Sequence, residues 1–219
     1  MNEVAFLAWV RGIGFQIALG IFIVGMVVRW LEIFLLGKKH DYSDPKGSAV
    51  QGAIHTIFSR SIPEKSTWQR SRVQIVTGYV FHIGLLLIIL FLTPHITIFR
   101  EFLGFGWAGL PSSVVDIIAV ITMFALLVVL VRRIQDPVLR FISTFQDYLV
   151  WTVTFLPLLT GYMAYHHLGF SYPTILGLHI LSVEILLVLF PFTKLMHAIT
   201  LFIARGFNGA TAGHKGVQA

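Results

Sequence analysis

Five apolar stretches, at roughly residues 12–36, 73–93, 113–131, 146–166 and 174–203, each run near or above the ~20 residues an α-helix needs to cross a bilayer's hydrocarbon core. Backbone N–H and C=O groups find no water there, so stretches of this length fold as helices that close their hydrogen bonds internally. The rest of the chain does nothing to oppose this. Of 219 residues, 56% are hydrophobic and 12% charged, too few charges to hold so much apolar surface in water. The expected fold is all-α: an integral membrane bundle of five transmembrane helices forming one domain over residues 1–205, with a polar cytoplasmic tail over 206–219. The first stretch lacks the short apolar core and small-residue cleavage site of a removable leader, and reads as a retained helix that doubles as insertion signal. Gly12, Gly14, Gly20 and Gly25 within it suit close helix packing in lipid.

Orientation follows from the cations. Lys38, Lys39, Lys46, Arg60, Lys65, Arg70 and Arg72 collect between the first two spans, and Arg132, Arg133 and Arg140 between the third and fourth. Positive loops stay on the cytoplasmic side, which puts the N-terminus outside, the C-terminus inside, and the chain in the cytoplasmic (inner) membrane as a multi-pass protein. The formal net charge of +6 reads as topology and contact with anionic headgroups, and implies no nucleic-acid partner. Residues 37–72 are long enough to dock a partner and include a short interfacial helix from Ala49 to Phe58. The connection from Thr93 to Ser113, with Trp107 and several phenylalanines, suits a loop at headgroup level that could roof a cofactor.

The chain has no cysteine, so it holds no iron–sulfur cluster through thiolates of its own. Chemistry therefore falls to the histidines, because an ionisable or ligating side chain inside a bilayer marks function by default. His40, His55 and His214 lie in polar segments and read as solvated. His179 and His197 lie in the fifth stretch eighteen residues apart, which at 100° per residue is five whole turns and one face, about 27 Å apart along the axis. Two haems at two depths could each take one of them, with the second axial ligand from a facing helix. The plainer alternative is a pair of histidines hydrogen-bonded within the bundle. His82, in the second span, stands at the depth of His197 and completes an inner haem site. For His179 the outer partner is His95, just after Pro94, although thirteen residues rotate it about 140° off the His82 face, so that Pro94 or a local distortion must re-aim it. His166 and His167 are rivals for that place, and a chain with no outer haem is the remaining possibility.

Three passages resemble a known family, the gamma subunit of respiratory nitrate reductase and its relatives, the membrane cytochromes b of heterodisulfide reductase and of transmembrane redox complexes in sulfate-reducing microbes. Phe81-His82-Ile83-Gly84 looks like that family's first ligand on its second helix, and Leu92-Thr93-Pro94-His95 like the end of that helix. Phe190-Pro191-Phe192-Thr193-Lys194-Leu195-Met196-His197 looks like the second ligand of the fifth helix, with His179 in the setting of the first. The resemblance covers roughly residues 74–205. Its position for a second histidine on helix two is occupied here by Leu92, which leaves His95 as the substitute.

The resemblance implies two b haems, a quinone site (menaquinone), a cytoplasmic iron–sulfur subunit of heterodisulfide-reductase type, and a periplasmic cytochrome c as a further partner. The chain would then pass electrons between membrane quinol and those partners, as an electron-transfer subunit without a catalytic residue of its own. Quinol gives up protons with its electrons, and Glu184, between the two histidines of the fifth stretch, is a candidate proton or quinone group, with Asp147 a second that also reads as a helix-start residue. Two other classes compete. A small transporter would explain Glu184 and His179, and a haem-free membrane anchor would explain the apolarity and the docking segment.

Overall fold

The computed structural model describes residues 2–35 and 42–217, all helix, turn and loop, with no strand among the described residues. Lys38, Lys39 and His40 lie outside them, as do the last two residues of the expected tail. The helices are α1 (Glu3–Leu35), α2 (Ala49–Ser59), α3 (Lys65–Phe91), α4 (Thr93–Leu103), α5 (Ser112–Gln135), α6 (Pro137–Ile142), α7 (Phe145–Tyr165), α8 (Tyr172–Leu189) and α9 (His197–His214). Four segments are long and apolar enough to cross a membrane: α1, α3, α5 and Tyr172–Phe192. They carry bulky apolar side chains on their exposed faces, among them Val24, Leu86, Ile117 and Phe124, as lipid-facing helices do. The protein is a multi-pass membrane protein. The fourth expected stretch forms α7, whose 21 residues would reach about 31 Å. Gln146, Asp147, Thr152, Thr154 and Thr160 leave it less apolar than the other four.

Two compact units divide the chain, one made of the residues up to Ala18 with Ser71–Leu186, the other of Leu19–Arg70 with the chain from Leu187 onward. In the first unit Ile88, Val115, Ala119, Leu126 and Leu158 form a core shared by α3, α5 and α7. Gly84 lets α3 close on Thr122 of α5, where any Cβ would collide with the threonine hydroxyl. That hydroxyl donates to the carbonyl of Ile118 at 2.6 Å, so it is satisfied inside its own helix. Trp151 donates its indole N–H to the carbonyl of Leu126 at 2.8 Å, tying α7 to α5. Gly177 of α8 makes room for the ring of Phe6 at the start of α1. Helix α1 carries a π-helical turn over Val10–Gly14, the type of irregularity that re-registers one face of a long helix.

The helix that holds His82 stops at Phe91, because Leu92 is extended (φ −75°, ψ 125°) and Pro94 starts α4 within its first turn. A stop within an apolar stretch frees carbonyls that must find donors. The indole of Trp107 serves Leu90 at 2.7 Å, the backbone N–H of Leu110 serves Phe91 at 3.1 Å, and the N–H groups of His95 and Ile96 both serve Leu92. Gly104, in the left-handed region at φ 77°, turns the chain back so that Trp107 and Leu110 reach those carbonyls.

In the second unit the fifth expected stretch is not one helix. Residues Phe190–Phe192 and Lys194–Met196 are two 3-10 turns around an extended Thr193 (φ −126°, ψ 179°), so the reading of a continuous helix over 174–203 is corrected to α8 and α9. Pro191 cannot donate to a carbonyl one turn back, which favours the break, and Arg29 of α1 sustains it by donating to the Pro191 carbonyl at 2.8 Å. Glu32 balances that guanidinium at 2.6 Å. Gly25 gives Pro191 its space, since a Cβ there would stand 2.6 Å from the proline ring. The expected polar tail is corrected as well: residues up to His214 belong to α9, which packs along α2. The two backbones meet through glycine: a Cβ on Gly52 would run into the carbonyl of Gly209, and one on Gly209 into that of Gly52. The expected interfacial helix, from Ala49 to Phe58, is α2, started by Ser48 accepting from the N–H of Gln51.

Substituting Gly52→Val or Gly209→Val overpacks this crossing and is expected to cost about 1–3 kcal/mol. Thermal unfolding in detergent and protease sensitivity over residues 42–64 read the effect. Wild-type values for both variants would mean that the helices do not approach this closely.

Candidate functional site

The structure brings His95 and His179 together. Their ring centres lie 6.3 Å apart with planes inclined by 21°. Both belong to the first unit. His95 gets there through the stop at Leu92: instead of continuing around α3, it sits in the first turn of α4, and its Nδ1–H donates back to the carbonyl of Ile88 at 3.1 Å. The distortion that the sequence required is thus present in the backbone, supplied by Leu92 and Pro94 together. Burial holds the His95 imidazole below its ordinary value, opposed by hydrogen bonds to the carbonyls of Ile88 and Ile89.

His179 is held from α7. The hydroxyl of Thr160 donates to the Leu156 carbonyl at 2.6 Å, which leaves its oxygen to accept from Nδ1–H of His179 at 3.4 Å. Ser182 donates to the carbonyl of His179 at 2.7 Å and lies 3.2 Å from the Thr160 oxygen. The network assigns the proton to Nδ1 and the lone pair to Nε2, as in His95. Gly161 completes the seat, because a Cβ there would stand 2.9 Å from Cε1 of His179. Two imidazoles, each with Nδ1 in a hydrogen bond, are a donor pair that could hold a metal or a haem iron through Nε2. A metal bonded at about 2 Å to each imidazole would separate the ring centres by about 6 Å if both Nε2 atoms turned towards it.

The rival histidines stand elsewhere. His166 closes the C-terminus of α7 and pairs through Nε2 with Asp116 at 3.1 Å, against the ring of Tyr162. His167 has a positive φ of 54° and lies against Tyr172. Leu92, where the resembling family has a histidine, is packed at the edge of the core.

His82 belongs to the first unit and His197 to the second. Each has Nδ1 on a carbonyl of its own helical segment, His82 on Gly78 at 2.7 Å and His197 on Lys194 at 2.6 Å. With the break at Thr193, His197 is the first residue of α9, so the whole-turn count from His179 no longer places the two on one continuous helix face. No group of three or more His, Asp or Glu side chains able to hold a metal occurs among the described residues, and the site rests on a pair.

Glu184 is buried in α8, with Oε1 lacking any hydrogen-bond partner. A carboxyl group in that position is costly in a membrane span. Asp147 is a helix-start residue: it accepts from the backbone and hydroxyl of Thr144 in a capping box and pairs with Arg133 at 3.4 Å. Thr160, Gly161 and Ser182 were not legible as site residues. Thr160 and Gly161 lie on another helix from the histidine they seat, and nothing in their spacing refers to it.

No family model matches the chain, and no solved structure does. It is 34% identical over 161 residues to a protein of Nitratidesulfovibrio vulgaris strain Hildenborough, an alignment covering 73% of this chain and 71% of the relative. The chain belongs to that protein's family. The relative's name assigns no activity, so the membership adds no function.

Thr160→Val removes the acceptor that orients His179 and is expected to cost about 1 kcal/mol. Gly161→Ala adds a methyl group within reach of the ring and is expected to cost about 1–3 kcal/mol. Thermal unfolding of the purified protein measures both; two neutral substitutions would show that His179 is not seated as described.

Proposed function

We propose that the chain is a haem b-containing membrane subunit of a respiratory redox complex, carrying electrons between quinol and partner subunits. The observation that supports it most is the His95–His179 pair: near-parallel rings, 6.3 Å apart, in a segment that breaks its helix to present one of them. A b haem held by His95 and His179 would supply one-electron transfer. The chain's own residues do the rest. Ile88 and Thr160 fix both tautomers, and Gly161 seats His179.

The reading extends, on sequence motifs alone, to a second b haem with His82 and His197 as axial ligands, and to the five-span topology with its N-terminus outside in the cytoplasmic membrane. The resemblance of the FHIG, LTPH and FPFTKLMH passages further suggests a subunit like those of nitrate reductase gamma and heterodisulfide reductase cytochrome b. Menaquinol, a cytoplasmic iron–sulfur subunit and a periplasmic cytochrome c are the partners proposed on that basis. Glu184, buried and with an unpartnered oxygen, is proposed to take up or pass on a quinol proton. A transporter would have to explain why the two histidines meet, and a plain anchor why the helix breaks to bring them together.

Haem per polypeptide decides the matter. Pyridine haemochrome on the purified protein is expected to give at least one b haem. His95→Ala and His179→Ala are each expected to remove the same haem, and the double variant to remove no more than either alone. Purified, cofactor-replete protein without a b-type band, or haem content untouched by both variants, would overturn the proposal.

A further inference from the structure

Helix α2 presents two opposite faces. Gly52 and Thr56 point at α9, where glycine lets the backbones touch. At 100° per residue Val50, Ile54 and Phe58 fall within an arc of about 80°, centred about 180° from that contact. They are 70%, 54% and 71% exposed, so three large apolar side chains stand out on one side of α2, and Ile62 just beyond the helix is 75% exposed as well. The stripe is narrow and bordered by the polar Gln51 and His55, and α2 contains no acidic residue.

Charge and tether point to one occupant. Exposed Lys46, Arg60, Lys65 and Arg70 flank α2 along the chain, against the two acids Asp44 and Glu64 over residues 44–70, and Trp68 in the same stretch is 40% exposed. Lysine, arginine and tryptophan around an apolar stripe are the composition of a helix lying in a headgroup zone. The five residues from Arg60 to Glu64 separate α2 from the start of α3, a membrane-crossing helix, and allow it no more than about 20 Å of reach. We propose that α2 lies in the plane of the membrane surface, with Val50, Ile54, Phe58 and Ile62 dipped into the acyl boundary of a leaflet rich in anionic lipid. The α2–α9 pair is then a platform resting on lipid, and a docking protein is left the polar edge that carries Gln51 and His55. This does not depend on whether the chain binds haem.

The absence of natural cysteine makes the test clean. Single variants Val50→Cys, Ile54→Cys, Phe58→Cys and, as the edge control, Gln51→Cys are labelled with an environment-sensitive fluorophore in the full chain. They are then reconstituted in phosphatidylcholine vesicles with or without phosphatidylglycerol. In vesicles containing phosphatidylglycerol, nitroxide on the lipid acyl chains is expected to quench the three stripe positions about threefold more than Gln51→Cys, with aqueous iodide giving the reverse order. Leaving out phosphatidylglycerol, or combining Lys46→Gln, Arg60→Gln and Lys65→Gln, is expected to reduce the acyl-chain quenching. Iodide reaching all positions alike would place the stripe in water. Shielding from both quenchers would mean protein covers it, either a second copy or another subunit. Either result overturns the proposal, and quenching indifferent to phosphatidylglycerol and to the charge variants overturns its anionic part.

Discussion

A carbonyl freed inside an apolar stretch has no water to bond to, and the irregular points of this protein are governed by that fact. The chain stops a long helix at Leu92 and breaks another at Thr193, and at both places named donors reach the released oxygens. At Leu92 they are the indole of Trp107, the backbone of Leu110 and the imidazole of His95. At Pro191 the donor is the guanidinium of Arg29, itself balanced by Glu32. Without these partners each stop would expose polar backbone to an apolar surrounding at a cost of several kcal/mol.

The same bonds do a second job at the first of these stops. The Nδ1–H that helps satisfy Ile88 also fixes the tautomer of His95, leaving Nε2 as the unprotonated nitrogen. His179 is prepared differently, by a hydroxyl from α7 and by the missing side chain of Gly161. One ring is held by the helix end it closes and the other by a neighbouring helix, and their centres meet 6.3 Å apart.

Glycine does the corresponding work where helices touch. Gly84 admits Thr122, Gly177 admits Phe6, Gly25 admits Pro191, and Gly52 and Gly209 admit each other's backbones. Mostly apolar surface is exposed along the spans, so close backbone approach supplies much of the helix–helix contact that hydrophobic exclusion supplies in water. The glycines first read as packing positions in α1 are unequal in this respect: Gly25 meets a proline ring, whereas Gly12 and Gly20 face open space.

The sequence by itself determined the membrane setting, the positions of the third and fourth long helices to within about a turn, the short helix α2, and the histidines worth attention. Those properties follow from local composition and period, which one segment carries alone. It also indicated that His95 could face His179 only through a distortion near Pro94. Tertiary structure decided where the helices stop, that the fifth stretch is two helices with His197 opening the second, that residues 206–214 are helix packed on α2, and that Thr160 and Gly161 seat His179. The physical reason is the same in each case. A stop or a seat is stable only if a distant residue supplies the hydrogen bond or the empty space, Arg29 for Pro191, Trp107 for Leu90, Gly161 for His179, and no local pattern in the chain announces that they will meet.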